Sequence, residues 1–175
     1  ARPRTPLVTM GYCNQVLGGK DGSTVLKRLA DAGVSGFILA DITPDESTDV
    51  EAEAAAVGIG LIYLVAPTTT EDRLPYVASR SQGFLYAVSL AGVTGARTSL
   101  PRGVKSFLRK VREISPVPVA VGFGVSTPSH ARQLAPVADG VITASALIDA
   151  LGPDGIDIEK MASLARALRE ATIRD

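Results

Sequence analysis

Six short apolar runs punctuate the chain, with helix-like segments between them. They are Leu7–Tyr12, Gly36–Asp41, Gly60–Ala66, Gly83–Ser89, Val117–Gly122 and Gly140–Thr143. Each is nearly continuous in apolar residues rather than alternating, which predicts parallel strands buried on both faces. The segments between them carry the helical period. Val25–Ala32 places Leu26, Leu29 and Ala30 on one stripe, with Ser23 or Thr24 as cap and Gly33 just past the end. Ser47 or Thr48 opens Val50–Val57, which stops at Gly58. Thr70-Glu71-Asp72 starts a further helix with acids in the first turn, where the helix dipole favours them. Val104, Phe107, Leu108 and Val111 form another stripe. Thr127-Pro128 reads as a cap followed by Pro at the first helical position. The last helix, Asp157–Ile173, carries Met161, Leu164, Ala165 and Leu168. Strand and helix alternate throughout, so the class is α/β with right-handed crossovers.

The length of 175 residues, with 46% apolar and 21% charged positions, suits one domain with a real core, taken as residues 1–175. An eight-fold βα barrel typically needs ~250 residues, and the runs supply about six units. Six parallel staves make either an open sheet in its own right or part of a barrel. The 18 basic and 18 acidic residues cancel, so no electrostatic footprint for nucleic acid or an acidic membrane surface is expected. No apolar run approaches the roughly 18–20 residues that cross a bilayer. The single cysteine, Cys13, excludes an internal disulfide framework and a cysteine-based zinc site. Nothing resembles a signal peptide, which leaves a reduced cytoplasmic setting as the expectation.

Active sites of such folds lie at the C-terminal strand ends. Gly122-Phe123-Gly124-Val125-Ser126 follows one strand, and Ala144-Ser145-Ala146 opens a helix after the next. Glycines let backbone N–H groups approach an anion, and a helix start adds unpaired donors, so these loops are phosphate-binding candidates. Turn-shaping glycines would leave the same pattern. Gly92–Ser99 is a small polar loop that either closes over a substrate or simply connects strand to helix. Asp41 ends a strand, where a carboxylate acts on a ligand, caps the following turn or meets a partner. His130, one turn into a polar helix start, reads as a surface residue, and Cys13 as a packed thiol. Tyr12, Tyr63 and Tyr86 end or line strands, with core packing the default for each.

Val88-Ser89-Leu90-Ala91-Gly92-Val93-Thr94-Gly95-Ala96-Arg97 resembles the signature loop of the tryptophan synthase alpha subunit family. Met10–Asn14, Ala40–Glu46, Pro67-Thr68-Thr69, Gly83–Tyr86, Val121–Ser126 and Ala138–Ile142 resemble the same family in the same order. The likeness covers nearly the whole chain. It implies a (βα)8 TIM-type barrel, here a partial one of about six units with the two N-terminal units missing. It implies a carbon–carbon lyase that splits indole-3-glycerol phosphate into indole and glyceraldehyde-3-phosphate without a cofactor. Indole would then pass to a beta subunit, which holds pyridoxal phosphate. Carried over by position, Tyr12, Leu64, Tyr86 and Phe123 line the indole pocket. Gly95, Gly124, Ala144 and Ser145 meet the phosphate, and Thr94 belongs to a mobile lid. Asp41 and the lid face the beta subunit.

Two departures from the family pattern stand out. Gly-Ser at the last helix start is Ala144-Ser145 here, which adds a methyl beside the phosphate. The family's two catalytic acids, a Glu on the second strand and an Asp in the loop after it, have no match in these residues. No catalytic residue is therefore assigned, and residues 1–175 alone are expected not to turn over. Tyr86 is a poor replacement, since a phenol has a pKa of about 10. The alternatives are a non-catalytic truncated barrel that binds an indole or phosphate ligand or modulates a beta subunit, and another phosphate-binding barrel enzyme of tryptophan or histidine synthesis. The signature loop argues against the last.

Overall fold

The computed structural model describes residues 5–16, 22–88, 100, 102–122 and 124–173. Its elements follow the apolar pattern closely. In order they are β1 (Leu7–Gly11), α1 (Cys13–Val16), α2 (Gly22–Asp31), β2 (Val34–Leu39), α3 (Thr48–Ala56), β3 (Gly60–Ile62), β4 (Leu64–Val65) and α4 (Arg73–Arg80). Then come β5 (Leu85–Val88), α5 (Val104–Ile114), β6 (Val119–Gly122), α6 (Pro128–Leu134), β7 (Gly140–Val141), α7 (Ser145–Ala150) and α8 (Ile158–Ala171). All strand pairings are parallel, in the orders β1-β2-β3 and β4-β5-β6-β7.

The run expected as one strand over Gly60–Ala66 is broken at Tyr63. Its backbone still spans the break, because the Tyr63 carbonyl accepts from the Tyr86 N–H at 3.0 Å. The two sheets therefore form one series of six staves.

The staves from β2 to β5 serve two apolar layers. Outward residues Phe37, Leu39, Leu61, Val65, Leu85, Ala87, Val119 and Val121 pack against Leu26 of α2, Val50 and Ala54 of α3, Leu74 and Val77 of α4, Leu108 and Val111 of α5 and Leu134 of α6. Inward residues Ile38, Ile62 and Tyr86 form a second, smaller cluster with half-buried Leu64, Phe84, Val88 and Ile142. Burial on both sides is why period-two alternation is hidden in the sequence. The helix α8 packs Leu168 and Ala171 on Ala131 of α6. At the first stave Leu7, Val8 and Met10 stand exposed.

Local signals act largely as expected. Thr127 accepts from the His130 N–H at 3.2 Å, with Pro128 opening α6. Asp157 accepts from the Lys160 N–H at 3.0 Å and caps α8. Several expectations differ. The helix α2 begins at Gly22, so Ser23 and Thr24 lie within it rather than at its cap; Ser47 precedes α3 without a side-chain cap bond; and α4 begins at Arg73, which leaves Asp72 at the N-cap and no acid in the first turn. His130 is 2% exposed, not a surface residue, because it shares the inner face of α6 with Ala131 and Leu134. Tyr12 is 56% exposed and does not pack in the core.

Candidate functional site

The C-terminal strand ends gather several of the expected site residues. Leu64 and Tyr86 are register partners on neighbouring strands, and both belong to the interior layer. Burial pushes the Tyr86 phenol above its ordinary pKa, so the ring enters the site as a neutral group. The Tyr86 ring lies against Gly122 at the end of β6. A methyl at Gly122 would stand 2.6 Å from Tyr86 Cζ, so the missing Cβ is what makes room for the ring.

Two residues beyond, Gly124 is exposed with φ +85, a left-handed conformation that L side chains rarely adopt. On the neighbouring stave Ala144 is the N-cap of α7 and Ser145 its first residue, both exposed. Ala144 offers no side-chain oxygen, so nothing from the cap competes for the first-turn amides. The strands β6 and β7 pair directly, which sets these two loops side by side. An interior apolar face therefore lies next to the Gly124 loop and the start of α7.

Asp41 stands apart from that pair. Its carboxylate accepts from the Cys13 N–H at 2.8 Å and caps α1, not the turn that follows it. The residue is otherwise exposed. Tyr12, at the end of the first stave, is not part of the interior cluster, and its N–H donates to the Gln15 side chain at 3.0 Å. Thr94, Gly95 and Phe123 lie outside the described residues, as does the signature loop over 89–99.

Between β2 and β4 the pairing stops at Ile38 and Ile62. The strands part there and leave a cleft of about 510 Å³ lined by Asp41, Thr43, Leu64, Thr68, Thr69 and Arg73, among others. Arg73 pairs with Asp45 at its rim and holds that carboxyl below its ordinary pKa. A larger cleft of about 740 Å³ runs along β7 between α6 and α8. It includes none of the expected site residues, and its lining is mostly small and apolar.

A group of residues that local patterns do not reveal lies behind the cleft. Tyr63, 2% exposed, donates to Glu51 Oε1 at 2.5 Å and hydrogen-bonds with Ser47. Burial, then the carboxylate, raises the Tyr63 phenol well above its ordinary pKa. Arg80 binds both Glu51 oxygens, its Nε donating at 3.1 Å. Ser47 reads locally as a helix cap, and no local pattern marks Glu51 or Arg80. Only the fold brings them together.

Among the described residues no group of three or more His, Cys, Asp or Glu side chains is placed to hold a metal ion. No helix of the described residues is long and apolar enough to cross a membrane.

Comparison with known proteins shows the family and the fold. The family model described as tryptophan synthase alpha chain matches residues 1–173. The alpha chain of Dehalococcoides mccartyi is 42% identical over 167 residues, covering 95% of this chain and 64% of that protein. The alpha chain of a Roseiflexus species is 41% identical, with 95% and 64% covered. Among solved structures, Mycobacterium tuberculosis tryptophan synthase superposes with a TM-score of 0.84 at 37% identity, covering 97% of this chain and 63% of that one. The tryptophan synthase a2b2 complex of Pyrococcus furiosus gives 0.82 at 33% identity, covering 95% and 66%. The chain thus spans about 64% of the length of the curated relatives it matches. The six staves are those of a TIM-type barrel, and the chain belongs to the tryptophan synthase alpha chain family.

Proposed function

We propose that this chain forms the ligand-binding face of a carbon–carbon lyase that cleaves indole-3-glycerol phosphate to indole and glyceraldehyde-3-phosphate. The observation that carries the reading is the pairing of Leu64 with Tyr86 in the interior layer, below the Gly124 and Ala144–Ser145 loops. An indole ring fits an apolar floor with an aromatic wall. A phosphate fits a glycine-shaped loop beside first-turn amides. In this reading the glycerol chain joins the two recognition elements.

The cleavage protonates the indole ring at the carbon that bears the side chain and removes the proton of the neighbouring hydroxyl. The carbon–carbon bond breaks, the ring leaves as indole and the hydroxyl carbon becomes the aldehyde. Tyr86, with its phenol raised, is unsuited to either transfer at neutral pH. The family's Glu and Asp have no counterpart in residues 1–175, so these residues bind and orient rather than move protons. Positioned acid–base groups supply roughly 10²–10⁴-fold each, so the expected result is binding without turnover. Measurable release of indole by the purified chain of verified mass would overturn this.

We assign no cofactor to this chain, leaving pyridoxal phosphate to a beta-subunit partner. The exposed Asp41 faces that partner in this reading, as do Thr94 and its loop. Tyr12 and Phe123 complete the indole pocket and Gly95 the phosphate site. The cytoplasm is the compartment the reading implies, because it places the protein in amino-acid biosynthesis. Gly124→Asp tests the phosphate end directly. It sets a carboxylate beside the anion on a backbone at φ +85. Binding of inorganic phosphate, measured by calorimetry, should disappear, and unchanged binding removes the assignment.

A further inference from the structure

We propose that Tyr63 is a positioning residue that ties the ligand pocket to the loop carrying Asp41. The consequence for ligand rests on the indole reading above. Tyr63 occupies the break between β3 and β4. Its N–H donates to Ser81 Oγ at 3.1 Å, and that hydroxyl donates to the Phe84 carbonyl at 2.5 Å. A hydroxyl thus stands in the ladder where one direct amide–carbonyl bond would be. On either side of the break Ile62 and Leu64 point into the interior layer, and Leu64 meets Tyr86.

The side chain points the other way. Its phenol is clamped between Ser47 and the Glu51–Arg80 pair. The Ser47 hydroxyl also lies 3.2 Å from the carbonyl of Pro44, a buried residue of the loop over 40–47. One side chain therefore links the floor of the pocket, the loop with Asp41 and the end of α4.

Stability alone does not explain this choice. Burying the Tyr63 phenol and the Ser47 hydroxyl is costly unless both are hydrogen-bonded, and apolar side chains of similar volume would fill the same space without that cost. What a fully satisfied polar cluster adds is a single geometry. Here that geometry sets both the direction of Leu64 and the seat of the Asp41 loop.

Tyr63→Phe in the 175-residue chain tests this, because it removes only the hydroxyl. Hydrogen exchange is read at segments 40–47 and 63–70, with α5 and α8 as internal references. Indole and inorganic phosphate binding are titrated separately. Exchange should rise about tenfold at both segments and stay unchanged in the references, and indole affinity should fall about tenfold with phosphate affinity unchanged. A uniform rise in exchange, no change at 40–47, or a parallel loss of both affinities overturns the proposal. If the unaltered chain binds no indole, the pocket reading fails by itself, and the exchange pattern still decides the role of Tyr63. If Tyr63→Phe does not fold, Glu51→Gln is measured by the same criteria.

Discussion

The two sides of the sheet are built from the same strands but do different work. On the outer side Leu61, Val65, Leu85, Ala87, Val119 and Val121 are at most 3% exposed and are closed over by helices. On the inner side the cluster of Ile38, Ile62 and Tyr86 is small, and its upper members Leu64 and Val88 are only half-buried. The outer layer is sealed and apolar except at Tyr63, whose phenol meets Ser47 and the Glu51–Arg80 pair. The inner layer opens toward glycine-bearing loops. The difference teaches that an unbroken apolar run can serve stability on one face and recognition on the other. Substitutions on the two faces should then fail in different ways.

The largest effect belongs to the outer layer. Leu108 of α5 is 0% exposed and packs among the outward strand residues. Leu108→Ala leaves a cavity that helices cannot collapse around, and it should cost about 2–5 kcal/mol in urea denaturation. Phosphate affinity of the folded fraction should be unchanged. A full loss of affinity with stability intact would break the division between layers.

Gly122→Ala probes the inner layer with a single methyl. That methyl would stand 2.6 Å from Tyr86 Cζ, and the buried ring has nowhere open to turn. Overpacking of this kind costs about 1–3 kcal/mol, less than the outer-layer cavity. Its effect on indole binding should exceed its effect on stability, because the ring it displaces is a wall of the pocket. Equal losses in both would show that Tyr86 serves packing alone.

Much of this division is legible in the amino-acid order. The apolar runs mark every stave, since strands buried on both faces must be apolar throughout. Thr127-Pro128 and Asp157 cap their helices as local chemistry demands. Gly124 takes the left-handed conformation that glycine permits. The break at Tyr63 is invisible, because the run around it is as apolar as any other. Within the Ser47–Glu51–Tyr63–Arg80 cluster a single bond, Arg80 to Glu51, joins residues 29 positions apart, which no local period records. His130 looks polar and exposed in a helix start, yet the packing of α6 buries it. Asp41 caps a helix 28 residues earlier in the chain, where a local reading looks forward.

The rim where the outer layer meets the Asp41 loop gives the smallest and sharpest test. Cys13 packs against the edge of the outer layer. Its thiol is pushed from an ordinary 9.0 up to about 11, first by burial and then by a hydrogen bond and the negative charge of Asp41, with Glu46 adding to it. A raised pKa favours the neutral thiol of the folded state. The associated stability is fully present below pH 9.0 and is lost as pH rises through about 11. At neutral pH the thiol should react slowly with iodoacetamide, with the half-maximal rate near 11. Asp41→Asn removes the charge and weakens the hydrogen bond, so the midpoint should move down toward 9.0 without reaching it, because burial remains. A midpoint of 9.0 in the unaltered chain would separate the rim from the loop. A midpoint unmoved by Asp41→Asn would leave burial and Glu46 as the causes, and the outer layer would then end at Cys13 with no electrostatic tie to Asp41.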